Sequence, residues 1–201
     1  LPAGGHLTHG WKVSITGSYF EAHQYGVRES DHRIDIDQVR AICREHKPKL
    51  LWCGTTAYPR HIDYAAFAEI AKEVGAILVA DVAHVSGLIA GKAHPSPVGL
   101  AQIVTSTTHK TLRVPRGGLI LCKEQHAKVV DKAMFTGTQG GPLEHIIAAK
   151  AVAFKEELEQ ECTDYCGQIL PNAQELANAK LVRGVNIVSD CHYTHLRLVD
   201  R

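Results

Sequence analysis

Short apolar runs alternate with longer helical periods along most of the chain, and this alternation limits the folds open to it. The strand-like runs occupy residues 49–54, 76–81, 103–106 and 118–122. Between the first two, apolar side chains recur at helical spacing from Asp63, an N-cap residue type, to Val74, and Gly75 is suited to end that helix. Strands separated by helices of this length predict an α/β fold with a mostly parallel central sheet and helices on both faces.

The pattern changes towards the C-terminal end of the sequence. Residues 142–159 predict a long helix with Pro142 in its first turn, and residues 162–179 predict a second helix. Residues 185–188 and 195–199 predict two alternating strands. Because paired strands replace the earlier alternation, we expect one domain over residues 1–180 and the start of a small α+β domain over residues 181–201.

Composition argues against several classes of partner. The 201 residues carry a formal net charge of +1, with 45% apolar and 21% charged residues, whereas nucleic acids and anionic membranes require clustered basic surfaces. No apolar run approaches the roughly 20 residues of a membrane span, and the start of the chain lacks the charged region of a signal peptide. The six cysteines show no disulfide spacing, which predicts reduced thiols and a cytoplasmic protein.

The two ends of the sequence predict a piece of a longer protein. The single methionine is Met134, so Leu1 is not expected to be a translation start. The last residue, Arg201, falls within an apolar alternation. We therefore expect a fragment that lacks an N-terminal segment and most of a C-terminal domain.

Reactive side chains follow the predicted strands at their carboxyl ends. Thr55 and Thr56 follow the first strand, Asp81 and His84 the second, and residues 107–110, which end in Lys110, the third. Ligands of open α/β sheets bind at this edge. The pattern therefore predicts that an amine, a carboxylate, an imidazole and several hydroxyls converge on one pocket.

The pairing of Lys110 with Asp81 indicates a particular chemistry. A lysine among small hydroxylated residues can form a Schiff base with an aldehyde. A strand-end aspartate needs a partner when it is buried, and a protonated pyridine nitrogen would supply one, so that the ring could accept electrons from a carbanion. Two other interpretations stay open from these residues alone: a solvated loop lysine, and an aspartate that caps a helix or joins a structural ion pair.

Several motifs together resemble those of the serine hydroxymethyltransferases, which belong to the aspartate-aminotransferase-like, fold-type I group of pyridoxal-phosphate enzymes. The resemblance covers nearly the whole chain, in the family's order and at about its spacing. The motifs are GGHLTHG at 4–10, AYPR at 57–60, VADVAHVSGL at 79–88, TTHKTL at 107–112, PRGG at 115–118 and FTGTQGGP at 135–142. This chain departs from the family at residues 135–138 and at Arg113 and Val114, where the family usually has a glycine before Pro115.

The resemblance implies roles for residues around pyridoxal 5'-phosphate. Lys110 resembles the lysine that forms the aldimine, and Asp81 the partner of the pyridinium nitrogen. Around the ring, His84 and Thr56 resemble residues near the ring oxygen, and His6 resembles the imidazole stacked on the ring.

The resemblance also implies roles for residues in the reaction and at the phosphate. Thr107 resembles the threonine of aldimine exchange, and His109 resembles a residue that tunes reaction specificity. Arg116 resembles an active-site arginine. Gly140 and Gly141 resemble a loop that reaches the cofactor phosphate of the neighbouring subunit.

The resemblance also implies an activity and its partners. The family transfers the hydroxymethyl carbon of serine reversibly to tetrahydrofolate, giving glycine and 5,10-methylenetetrahydrofolate, and Leu1, Gly5 and Leu7 match positions that contact tetrahydrofolate. The full-length protein is expected to be a homodimer or tetramer. The family's phosphate cradle and carboxylate-binding arginine match nothing here, so we expect the 201 residues alone to bind the cofactor weakly and not to turn over serine.

Three alternatives accompany this interpretation. One is a threonine aldolase-like lyase of the same cofactor group, and another is a catalytically silent truncated scaffold. The third is a metal-binding module built from Cys162, Cys166, Cys191 and His195, whose spacing matches no familiar ligand pattern, so that we expect no metal. Among the 13 histidines, His9 receives no role from the sequence.

Overall fold

A four-stranded sheet forms the centre of the protein, as described by a computed structural model for residues 4–188 and 193–199. Its strands lie in the order β1-β2-β3-β4, and the first three run parallel while β4 is antiparallel to β3. The strands are β1 (Leu50–Gly54), β2 (Ile77–Asp81), β3 (Ile103–Thr107) and β4 (Gly118–Cys122). The predicted α/β class with a mostly parallel sheet is confirmed.

Seven helices accompany the sheet in the described part of the chain. They are α1 (Ile15–Tyr19), α2 (Ile36–His46), α3 (Tyr64–Val74), α4 (Ser86–Ala90), α5 (Glu124–Met134), α6 (Glu144–Glu156) and α7 (Gln160–Val182). Helix α3 has the predicted ends, because the Asp63 side chain accepts a hydrogen bond from the Ala66 N–H and Gly75 adopts a left-handed conformation.

The main core lies where α2 and α3 pack with β1 and β2. Helix α3 contacts α2 and both strands, and Val39, Phe67, Ile70 and Leu78 are at most 1% exposed. A smaller cluster joins α4 to α7 through Leu88, Cys162 and Cys166. Burial of these apolar side chains anchors the sheet from which the strand-end residues project.

Two predicted helices have different bounds in the structure. Helix α6 begins at Glu144, so Pro142 precedes it and does not lie in its first turn, as predicted. Helix α7 runs over Gln160–Val182, so it begins two residues before and ends three residues after the predicted helix.

The two C-terminal strands are a wrong prediction within the described residues. Only an isolated antiparallel bridge links Ile187 with Val199, beside a 2.9 Å hydrogen bond from the Val188 N–H to the Leu198 carbonyl. The Arg197 guanidinium bonds the carbonyls of Ala173 and Thr194. Within the described residues the alternating pattern therefore gives a bridge and no strand. Residues 189–192 lie outside the described part of the chain.

None of the described helices combines the length and the apolar character needed to cross a membrane.

Candidate active site

A cavity of about 210 Å³ lies at the carboxyl ends of the parallel strands. Gly54, Asp81 and Thr105 are paired in register across β1, β2 and β3, so the residues after these positions meet at one edge of the sheet. The cavity is lined by His6, Thr8, Thr55, Thr56, Asp81, Ala83, His84, Thr105, Ser106, Thr107 and Lys110. The convergence expected from the strand ends is therefore present.

Lys110 contacts an imidazole within this cavity. Its Nζ lies 2.9 Å from Nε2 of His84. Burial, and then the positive charge of Lys110, lower the pKa of His84 from its ordinary value of 6.5 to about 4. His84 is therefore neutral near pH 7, and its Nε2 can accept a hydrogen bond from the lysine amine.

Thr111 ties the turn that carries Lys110 to the segment that carries His84. Its hydroxyl donates to the carbonyl of His84 at 3.1 Å and accepts from the N–H of Gly87 at 3.0 Å. These two bonds, immediately beside Lys110, hold the backbones of the two residues at a fixed separation. The backbone thus brings the amine of Lys110 within reach of the His84 imidazole.

Asp81 is held as a carboxylate by two hydrogen bonds. Oδ2 accepts from Nε2 of His9 at 2.8 Å, and Oδ1 accepts from the Ala83 N–H at 3.0 Å. Burial by itself raises the pKa of Asp81, but these bonds and the neighbouring imidazoles outweigh it, so the pKa lies below its ordinary value. The site therefore presents a fixed negative charge.

His9 is the residue of this site that sequence reasoning missed. Besides its bond to Asp81, its ring lies 5.2 Å from the Trp52 ring and 5.6 Å from the His6 ring, measured between centroids. The signal available in the sequence was that Asp81, a buried strand-end carboxylate, needs a partner. With 13 histidines in the chain, that requirement does not select one.

Two threonine hydroxyls are left without partners in the site. Thr56 Oγ1 and Thr107 Oγ1 are buried and make no hydrogen bond within the described part of the chain, yet both residues line the cavity. Buried hydroxyls are almost always paired. A ligand with oxygen atoms would satisfy these hydroxyls, and the resemblance stated above implies that this ligand is pyridoxal phosphate.

His6 also faces this cavity. The Thr8 hydroxyl lies 2.7 Å from its Nδ1. Burial, followed by the charges of His9 and Lys110, lowers the pKa of His6 below its ordinary value, which favours the neutral imidazole. The cavity thus combines two imidazoles whose protonation is disfavoured with one ionised carboxylate.

The other residues singled out from the sequence, as far as the structure describes them, do not line this cavity. His109 has a buried Nδ1 without a partner among the described residues. Arg116 is exposed, as are Gly140 and Gly141 in the connection between α5 and α6. Of the positions matched to tetrahydrofolate contacts, Gly5 is half-buried, Leu7 is 56% exposed and Leu1 lies outside the described residues.

Two other candidate sites offer fewer reactive side chains. A larger cavity of about 280 Å³ lies between residues 20–27, α2 and β1, but its lining is mainly apolar and it does not include Lys110 or His84. Within residues 4–188 and 193–199, no three His, Cys, Asp or Glu side chains form a group suited to a metal ion. Of the proposed metal ligands, Cys191 lies outside these ranges.

Comparisons with known proteins agree with the chemistry of the smaller cavity. The family model described as "Serine hydroxymethyltransferase" matches residues 1–201. Proteins named serine hydroxymethyltransferase from Sorangium cellulosum, Acidothermus cellulolyticus and Coprothermobacter proteolyticus are 62%, 56% and 54% identical to the chain over 200 residues. Each match covers 100% of this chain and 47% or 48% of the relative. The chain thus spans about half the length of the curated relatives it matches.

Proposed function

The chain belongs to the serine hydroxymethyltransferase family, and on that basis we propose that the full-length protein is a pyridoxal-phosphate-dependent hydroxymethyltransferase. It would transfer the hydroxymethyl carbon of serine reversibly to tetrahydrofolate, giving glycine and 5,10-methylenetetrahydrofolate. One observation carries the proposal: the Lys110 amine, 2.9 Å from a neutral His84, shares a cavity with the Asp81 carboxylate and two unpaired threonine hydroxyls.

Pyridoxal 5'-phosphate suits the donors and acceptors of this cavity. When bound, it supplies an aldehyde for an amine and a protonated ring that accepts an electron pair from the substrate. Lys110 would hold it covalently and Asp81 would pair with its ring nitrogen. Thr56 and Thr107 would donate to its oxygen atoms or to those of the substrate, which would satisfy both buried hydroxyls.

His84 would orient the amine of Lys110. An ammonium group must lose a proton before its nitrogen can attack an aldehyde. The neutral Nε2 of His84 lies in hydrogen-bond contact with Nζ, so it would accept a hydrogen bond from the amine and fix its direction. The low pKa of His84 makes the imidazole a poor acceptor for the proton itself, which would pass to solvent.

His9 would act through Asp81 as a positioning residue. Its Nε2–H bond to Oδ2, together with the Ala83 N–H bond to Oδ1, restricts rotation of the carboxylate and keeps it ionised. A carboxylate fixed in this way can hold a proton on a ring nitrogen without itself becoming protonated. His6 would cover one face of the ring from the same cavity.

The remaining assignments follow from the family alone. Thr107 would also serve exchange of Lys110 for the substrate amine, and His109 would tune specificity. Arg116 would belong to the site, Gly140 and Gly141 would approach the cofactor phosphate of a second subunit, and Leu1, Gly5 and Leu7 would contact tetrahydrofolate. We further propose a cytoplasmic homodimer or tetramer acting in one-carbon metabolism and glycine biosynthesis. Residues 1–180 would form part of its cofactor-binding domain, and residues 181–201 the start of the smaller one.

The decisive experiment uses the full-length protein. After incubation with pyridoxal phosphate and reduction with borohydride, peptide mapping should find the phosphopyridoxyl group on Lys110, and Lys110→Arg should abolish it. Serine should then yield glycine in a reaction that depends on tetrahydrofolate, and Asp81→Asn should slow this reaction while Lys110 is still labelled. Label on another lysine would contradict the site, cleavage independent of folate would indicate an aldolase-like lyase, and labelling without turnover would indicate a silent scaffold.

A further inference from the structure

The turn that presents Lys110 is closed by backbone hydrogen bonds. The Arg113 N–H bonds the Lys110 carbonyl at 2.9 Å, and the Val114 N–H bonds the Thr108 carbonyl at 2.9 Å. The Thr108 hydroxyl in turn donates to the Pro115 carbonyl at 2.6 Å. Lys110 and Arg113 are therefore the first and last residues of one tight turn, and the backbone of Arg113 affects the direction of Lys110.

Arg113 has a backbone conformation that an arginine rarely adopts. Its φ is 55°, in the left-handed region where a Cβ meets its own carbonyl group. Such a residue persists only where surrounding contacts determine its conformation. The contacts that surround Arg113 must therefore hold it in this conformation.

The side chain of Arg113 reaches away from the cavity to the corner between α6 and α7. Its Nη2 lies 3.5 Å from Glu157 Oε1, and its guanidinium carbon lies 4.2 Å from the centroid of the Tyr165 ring. The Glu157 side chain is only 10% exposed, and its Oε2 accepts a hydrogen bond from the Cys162 thiol at 2.6 Å. A nearly buried carboxylate requires a positive partner, and Arg113 is that partner.

We propose that Arg113 is a positioning residue for Lys110, which it holds through its contacts with Glu157 and Tyr165. The turn is then held by contacts on two sides. Thr111 bonds the His84 and Gly87 backbones, and Arg113 bonds Glu157 at the α6–α7 corner. Loss of the Arg113 contacts lets the backbone of Arg113 leave its left-handed conformation, which moves Lys110 Nζ relative to His84 Nε2. The inference rests on the proposed function in taking Lys110 as the reactive amine.

The test compares variants of the full-length protein by the rate at which borohydride traps pyridoxal phosphate on Lys110, measured over a range of pH. Arg113→Met should slow labelling about tenfold, less than the hundredfold typical of a 1 Å misplacement, because Thr111 still holds the turn. It should also shift the pH midpoint of labelling, and Arg113→Lys, which keeps the charge, should recover part of the rate. Glu157→Gln and Tyr165→Leu should each act in the same direction.

A matched control distinguishes positioning from general damage. Arg44→Met removes another arginine that is paired with a carboxylate, because Arg44 on α2 bonds Glu73 on α3 and neither residue lines the cavity. This variant should leave labelling unchanged. Hydrogen exchange of residues 108–115 should be faster in Arg113→Met, with a similar midpoint of global unfolding. The proposal would be overturned if Arg113→Met left the labelling rate, its pH profile and the hydrogen exchange of residues 108–115 unchanged. It would also be overturned if Arg113→Met slowed labelling and Arg113→Lys did not recover part of that rate.

These measurements distinguish a failure of the positioning role of Arg113 from a failure of the proposed function. If the wild-type protein is not labelled at Lys110, the proposed function fails. The positioning role is then decided by the rate at which acetic anhydride acylates Lys110 and by hydrogen exchange of residues 108–115. Arg113→Met should change both measurements if Arg113 orients the turn and neither if it does not.

Discussion

Helix α4 and the Lys110 turn approach each other so closely at Gly87 that a single methyl group should disturb the site. A Cβ added at Gly87 would lie 2.0 Å from the Thr111 carbonyl oxygen, 2.3 Å from its carbon and 2.9 Å from the Leu112 nitrogen. All three are backbone atoms, so no side-chain rotation can relieve the contact. We predict that Gly87→Ala forces α4 and the turn apart.

The size of the effect follows from the geometry. Ordinary contact begins near 3.4 Å, so the Thr111 carbonyl must move by about 1.4 Å. Overpacking of this kind costs about 1–3 kcal/mol, and the bond from the Gly87 N–H to Thr111, worth about 1 kcal/mol, is strained as well. The higher helix propensity of alanine offsets about 0.5–1 kcal/mol. The net loss in the free energy of unfolding should be about 2 kcal/mol.

The displacement should also slow the reaction of Lys110. A shift of about 1 Å in a reacting group can cost about a hundredfold in rate, and Lys110 adjoins the displaced residue. Borohydride trapping of pyridoxal phosphate on Lys110 should therefore slow ten- to a hundredfold in Gly87→Ala, by the rule just used. The assay pairs this rate with the denaturant midpoint of the full-length protein.

Gly167 provides the matched control. It also lies inside a helix, α7, but a Cβ there would meet nothing within 4 Å. Gly167→Ala should keep the labelling rate and raise the free energy of unfolding by at most about 1 kcal/mol. If Gly87→Ala and Gly167→Ala behave alike in both measurements, the inferred coupling between α4 and the Lys110 turn is refuted.

Three further outcomes concern the core, a helix end and pH. Phe67→Ala should lower the free energy of unfolding by about 3–5 kcal/mol in denaturant titrations, because the ring is fully buried; a loss below 1 kcal/mol would contradict the assigned core. Asp63→Ala should cost about 1 kcal/mol through loss of the α3 cap, and Asp63→Asn much less. Burial lowers the pKa of His94 to about 4 from 6.5, so the unfolded state takes up a proton first and stability falls as pH drops from about 6.5 towards 4. Between pH 8 and pH 5 the free energy of unfolding should therefore fall by about 2 kcal/mol less in His94→Asn than in the wild-type protein. Identical pH dependence of stability in His94→Asn and wild type would show that His94 contributes nothing.

Local signals explain where the sequence predicted the elements well. Helix α3 was predicted because its cap, Asp63, its apolar face and its closing glycine, Gly75, all lie within one short segment. Helix α6 was misplaced at its start because its N-cap, Leu143, makes no side-chain cap bond, which leaves Pro142 as the only signal. Helix α2 was not predicted, although Asp35 caps its start and leaves a local signal.

Contacts between distant segments explain what was missed in the site. His9 meets Asp81 across 72 positions, and Lys110 meets His84 across 26. Strand order and register decide which side chains face each other over such separations, and neither leaves a local signal. The convergence of strand ends could be predicted because it requires only that β1, β2 and β3 run parallel.

The amino-acid sequence by itself determined the α/β class, the strand ends that carry the chemistry and the resemblance of Lys110 and Asp81 to cofactor residues. Periodicity and motif order are properties of neighbouring positions, so they can be recognised without a fold. Only the tertiary structure decided that His9 orients Asp81, that His84 stays neutral beside Lys110, and that Arg113 reaches Glu157. The physical reason is that hydrogen bonds act over about 3 Å, while the partners lie tens of residues apart and meet only when the sheet and its helices have packed.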